Sequence, residues 1–190
     1  MTATARRAKP LAPEDRRAAI LDAAVPLFMA NGSGVTTRQI ADAAGIAEGT
    51  IFRVFDDKEA IVDAVVARFM DPTPALELLA AIDDTLDLEH TVAEIVEILR
   101  VRITGVMGIM QAVGMRKPPA HPPRADGDAA NSVALEVLGR HREELSVTPE
   151  TAIAIIRAVV FGSSVVPFAG ATTLDPGDLA RLIVHGIGKA

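Results

Sequence analysis

The chain has no cysteine, no tryptophan and no tyrosine among its 190 residues, and only six phenylalanines. Without cysteine there is no disulfide, no thiolate metal site and no cysteine nucleophile. Aromatic residues make up 3% and apolar residues 49%, so the core must be aliphatic, built from Ala, Val, Ile, Leu and Met. No secretory signal is expected either. Arg6, Arg7 and Lys9 precede Pro13, but no apolar block with a small-residue cleavage site follows them. The expectation is a soluble, cytoplasmic chain, long enough for one large domain or a small domain joined to a larger one. The four histidines, His90, His121, His141 and His185, are scattered, and none lies at a metal-ligand spacing from another. Around His90, the residues Asp83, Asp84, Asp87 and Glu89 read as a solvated acidic loop. With no Gly-rich phosphate loop and no nucleophile elbow, no catalytic set, metal site or cofactor is expected.

The formal net charge is −6, but it is unevenly spread. Residues 1–60 hold eight Lys/Arg and eight Asp/Glu, whereas 61–190 hold eleven and seventeen. The acidic excess therefore falls wholly on the later part, and the two pieces differ electrostatically.

Helical periodicity dominates. Ile20, Ala23, Ala24, Leu27 and Phe28 recur at helical spacing, one stripe on a helix from about 14 to 30. Pro13, Glu14 and Asp15 suit its first turn, and Asn31 with Gly32 suits its end. Pro26 lies inside and predicts a kink. A second stripe runs through Val92, Ile95, Val96, Leu99, Ile103, Val106, Met107 and Met110, with Glu94, Glu97 and Arg100 away from it. A third holds Leu179, Leu182, Ile183, Gly186 and Ile187. No comparable period-2 run competes, so the fold class is all-α. Residues 115–127 carry four of the twelve prolines and read as a connection between helices. The apolar stretch 152–171 is interrupted by Arg157 and Pro167 and lacks basic flanks, which argues against a membrane span.

The most informative stretch is 36–61. Thr36 and Gln39 form a capping-box pattern, so a helix starts near Thr37, with Ile40, Ala43 and Ala44 as its buried face. Gly45 ends it, because glycine takes a left-handed cap without steric penalty. A second short helix follows, with Ile51 and Phe55 facing inward. Asp56 and Glu59 then suggest a cap for a third helix running toward Phe69. Two helices of about two turns, joined by a tight glycine turn, are too small to enclose a core and must lean on the preceding helix. That arrangement is a helix-turn-helix, whose second helix can enter a DNA major groove. The outward residues Ala47, Gly49 and Thr50 are small, which lets a backbone approach phosphates and base edges closely.

The run IADAAGIAEGTIFRVFDDKEAI, extended back through AAILDAAVPLFMANGSGVTTRQ, resembles the DNA-binding domain of the tetracycline-repressor (TetR) family of bacterial transcriptional regulators. The likeness covers roughly residues 14–65. It rests on the spacing of Ile40-Ala41, Ala44-Gly45, Gly49, Ile51-Phe52, Phe55 and Lys58. The resemblance implies that Thr36, Thr37 and Arg38 meet DNA at the start of the first motif helix, with Thr37 on a phosphate. It further implies that Ala47, Glu48, Gly49, Thr50 and Phe52 meet the groove, that Arg53 reaches a base or phosphate, and that Lys58 pairs with a phosphate. Phe52 stands where the family commonly has Tyr, and Val54 where it commonly has His or Tyr. Each departure removes a hydrogen-bond donor to the DNA backbone, a bond worth roughly 1.5–3 kcal/mol when the partner is charged.

The resemblance also implies an organisation. Residues 1–60 would be a helix-turn-helix DNA-binding domain, with 1–12 a flexible basic arm that follows DNA or is merely solvated. Residues 61–190 would be a larger helical domain for effector binding and dimerisation. Phe69, Ile103, Val106, Met107 and Met110, with Met70 beside them, either line a cavity for a small apolar ligand or form ordinary core. The last two helices, about 149–168 and 176–189, carry more apolar surface than one domain needs, and Gly162, Ser163 and Ser164 permit close approach. A homodimer through them would form a four-helix bundle and set two recognition helices on successive major grooves of a pseudo-palindromic operator, about 34 Å apart or somewhat more. The expected function is a ligand-responsive transcriptional regulator, most simply a repressor, that binds double-stranded DNA and does not engage a membrane. A DNA-binding regulator without an effector, or a small helical enzyme, are the alternatives.

Overall fold

The computed structural model describes residues 12–114, 125–165 and 174–187. Among these residues the regular structure is helical: α1 Pro13–Asn31, a 3-10 turn Gly32–Gly34, α2 Thr37–Ala43, α3 Glu48–Ile51 and α4 Lys58–Met70 come first. They are followed by α5 Thr73–Ala80, α6 Leu88–Val113, α7 Ala125–Gly139, α8 Pro149–Val165 and α9 Pro176–Ile187. The all-α expectation holds. The expected basic arm, apart from Ala12, lies outside the described residues, as do 115–124 of the proline-rich connection and 166–171 of the apolar stretch. No helix among the described residues is long and apolar enough to cross a membrane.

Two compact units are formed: Met1–Arg68 with Ile109–Lys117, and Phe69–Gly108 with Pro118–Ala190. The division expected after residue 60 falls after Arg68 here, and residues 109–117 group with the first unit. The side chains account for this. Ile61, Val62, Val65 and Val66 are all buried, as are Ile109, Met110 and Val113.

In the first unit, α1 opens with Pro13 at a position whose N–H would have no intrahelical partner, and Glu14 and Asp15 face the positive helix end. Ile20, Ala24 and Phe28 are fully buried, as the stripe predicts. Pro26 lies on the exposed side, and α1 continues through it as one helix. The Asp22 carboxylate takes the Arg68 guanidinium. Gly32 stops α1 with φ +63°, its N–H donating to the Phe28 carbonyl. A Cβ at Gly32 would stand 2.9 Å from the Ala112 carbonyl oxygen, so both conformation and space call for glycine. α1 packs on α2, and α2 on α3.

In the second unit α5 packs on α7, α7 on α8 and α8 on α9. Helices this short are marginal alone, and burial of one apolar face holds them. The shared core includes Leu79, Val92, Ile95, Val96, Leu138, Ile156, Val160 and Ile183, with no aromatic ring among its buried members in the described residues. On α6, Glu97 and Arg100 pair at 2.8 Å away from the stripe. On α9, Leu179 and Ile183 are buried but Leu182 is 61% exposed, so it leaves the expected stripe.

Candidate nucleic-acid interface

The site begins at the capping box. Thr36 Oγ1 accepts the Gln39 backbone N–H at 3.2 Å, and Gln39 Oε1 accepts the Thr36 N–H at 2.8 Å. α2 buries Ile40 and Ala41, whereas Ala43, expected inside, is exposed. Ala44 closes the helix and Gly45 follows at φ +67°. The Gly45 N–H donates to the Asp42 carbonyl at 3.2 Å and the Ile46 N–H to the Ala41 carbonyl at 3.0 Å. Those two bonds make a Schellman turn, which only a residue tolerant of left-handed φ closes without strain.

α3 is a single helical turn, not the two expected, because the chain leaves helix geometry after Ile51 and continues as turns. The Phe55 N–H still reaches the Ile51 carbonyl at 2.9 Å. Ile51 and Phe55 are buried together, and the Arg17 guanidinium lies 4.3 Å from the Phe55 ring centroid. α4 is capped by Asp57, whose Oδ1 accepts the Ala60 N–H at 2.8 Å. Asp56, the expected cap, lies one residue too early for a helix that begins at Lys58.

Of the residues expected to meet DNA, Thr36, Arg38, Ala47, Glu48, Gly49, Phe52 and Arg53 are exposed. Thr37, Thr50 and Lys58 are half-buried. Two of these have internal partners that the sequence did not signal. The Thr37 hydroxyl donates to Glu48 Oε1 at 2.7 Å, joining the start of α2 to the start of α3. Lys58 Nζ donates to the Ser33 carbonyl at 2.8 Å. Gly49 is the most informative position. Its backbone is not left-handed, and a Cβ built there meets nothing within 4 Å. Nothing among the described residues requires glycine at this place.

Residues 20–65 match the family model described as bacterial regulatory proteins, tetR family. The likeness to the TetR family lies in this segment. The chain is 47% identical over 57 residues to the HTH-type transcriptional repressor KstR2 of Rhodococcus jostii (strain RHA1), a match covering 30% of this chain and 28% of that protein. In such matches the chain spans less than a third of the curated relatives' length. Solved structures extend the likeness of fold over nearly the whole chain. The superantigen PfiT is similar at a TM-score of 0.67 and 20% identity, covering 95% of this chain and 100% of that one. The ketosteroid transcriptional regulator KstR2 of Mycobacterium tuberculosis is similar at a TM-score of 0.58 and 21% identity, over 92% and 96%. At such identities the likeness concerns fold alone.

Beyond the TetR-type segment, the residues expected to bind an effector are assigned to both units. Phe69, Ile103, Val106 and Met107 fall in the second unit and Met110 in the first. A 26-residue helix such as α6 extends about 39 Å, more than one small core needs. Phe69 packs its ring on the backbone of Gly105, where a Cβ would come within 3.3 Å. Ile103 packs against the shared core, and Val106 and Met107 are half-buried. An open groove of about 430 Å³ lies on α7 and α8, lined by Leu135, Glu150, Ile153, Ala154 and Arg157.

One hydrogen-bonded series has the order of a catalytic triad. Thr91 Oγ1 lies 3.1 Å from His141 Nε2, and His141 Nδ1 lies 2.8 Å from Glu144 Oε1. Thr91 is only 1% exposed, so no substrate reaches its hydroxyl. The series ties the start of α6 to the turn after α7.

Proposed function

We propose that the chain is a DNA-binding transcriptional regulator, acting as a homodimer that lets go of a pseudo-palindromic operator when a small apolar effector binds. The TetR-type segment is its DNA-binding head, and α3 enters the major groove. Gly49 carries this reading. A helical glycine weakens its helix by roughly 0.5–1 kcal/mol relative to alanine. With no internal neighbour to demand it, the missing side chain is explained by something approaching from outside. The exposed row of Arg38, Ala47, Phe52 and Arg53 beside it supplies two cations for phosphates and apolar surface for sugars or a thymine methyl.

Pairing through α8 and α9 is supported by apolar side chains left in water by a single chain. Phe161 is 54% exposed and Leu182 61%. The effector domain is the second unit, and the ligand need only prefer the DNA-incompetent state by about 1–3 kcal/mol. The test is selection of duplexes from a random pool, followed by light scattering and anisotropy titrations across salt concentrations. A dimer that enriches a two-fold symmetric motif, with affinity falling steeply with salt, is the expected result. A monomer that enriches no duplex would refute it.

A further inference from the structure

We infer that Glu48 reads a base, selecting a cytosine in each half of the duplex site, and that Thr37 positions it. The inference rests on the DNA-binding reading above and deepens it. An acidic side chain exposed on a face that meets polyphosphate is repelled by it, unless the carboxylate passes the backbone and finds a donor. Glu48 is held for that task. Thr37 Oγ1 donates to Oε1 at 2.7 Å from the neighbouring helix, which restricts a side chain that otherwise has several rotamers. Oε2 has no partner among the described residues. Ala47 and Gly49 on either side are too small to compete for the same base.

An ionised carboxylate only accepts hydrogen bonds. In the major groove the donors are the cytosine N4 and adenine N6 amines, whereas guanine and thymine present acceptors at their polar edges. Adenine places its N7 acceptor beside the amine, where it repels the carboxylate. Cytosine places a C–H there. The preference is therefore cytosine first and adenine second. Thr37 has one hydroxyl proton, so while it holds Glu48 it does not donate to a phosphate.

Duplexes are selected from a random pool with the full chain and with the Glu48→Gln and Thr37→Val variants. The unmodified chain is expected to enrich a motif with one cytosine-dependent position per half-site, where another base weakens binding about tenfold. Glutamine pairs an acceptor with a donor and matches adenine N6 and N7, so Glu48→Gln moves the preference at that position to adenine. Thr37→Val leaves cytosine preferred but reduces the preference roughly threefold. A motif with no cytosine-dependent position, or one that Glu48→Gln leaves unmoved, overturns the inference while the DNA-binding reading stands. A pool that the unmodified chain does not enrich overturns both.

Discussion

Gly49→Ala adds one methyl group at the second residue of α3, in space that is empty for 4 Å around the added carbon. The backbone there is one that alanine adopts freely, so the folded state takes the methyl without strain. The unfolded chain loses freedom, and the variant gains about 0.5 kcal/mol of stability, at the low end because α3 is one turn long. For a chain of this length the melting temperature rises roughly 1–2 °C. Duplex affinity moves the other way. On the proposed reading the methyl stands about 1.5 Å out from the face that meets DNA, and overfilling a close contact costs about 1–3 kcal/mol. That is a loss of about five- to 150-fold in Kd. Melting is followed by far-ultraviolet circular dichroism, and binding by anisotropy on a selected duplex at fixed salt. An unchanged Kd would refute the claim that the glycine serves an outside partner. A lower melting temperature would refute the claim that the space is open.

Three further outcomes follow from the hydrogen bonding. Gly45→Ala forces a side chain onto φ +67° with no neighbour to blame, and urea denaturation is expected to show a loss of about 1–2 kcal/mol that is purely conformational. Arg102 donates to the carbonyls of Met70 and Asp71 at the end of α4, so Arg102→Met is expected to lose about 1–2 kcal/mol in the same measurement, with Arg102→Lys recovering part of it. The hydrogen bond its ring donates to Asp87, then the charge of Asp87, raises the pKa of His90 above 6.5, while the His90 backbone N–H, then its ring, lowers that of Asp87 below 3.8. The histidine's contribution is complete below 6.5 and is lost as pH rises through its raised value. The aspartate's is complete above 3.8 and is lost as pH falls through its lowered value. The pair therefore acts between those limits, and in a proton NMR titration Asp87→Asn lowers the His90 midpoint. An unmoved titration would remove Asp87 as the cause.

What the sequence disclosed was whatever a residue settles with its own backbone. Thr36 and Gln39 cap each other three residues apart, Gly45 takes the one conformation that its neighbours avoid, and Ile51 and Phe55 share a face because helical spacing requires it. The errors of one or two positions arise where the pattern is degenerate. Asp56 and Asp57 both precede a helix, and only the true start at Lys58 separates them. Ala41, Ala43 and Ala44 offer no contrast of hydrophobicity, so periodicity cannot choose which of them is inside. Met110 shows a different loss. Its spacing on α6 identifies a buried face but not which unit that face serves. The contacts that no local rule reaches are between side chains far apart in the chain: Thr37 with Glu48 at eleven residues, Lys58 with Ser33 at twenty-five, Thr91 with His141 at fifty. Each needs a turn to be closed before the two groups meet. On the proposed reading, base preference is therefore a tertiary property. The same Glu48, on the same helix but without the turn that brings Thr37 to it, would sweep through several rotamers and discriminate among bases less sharply.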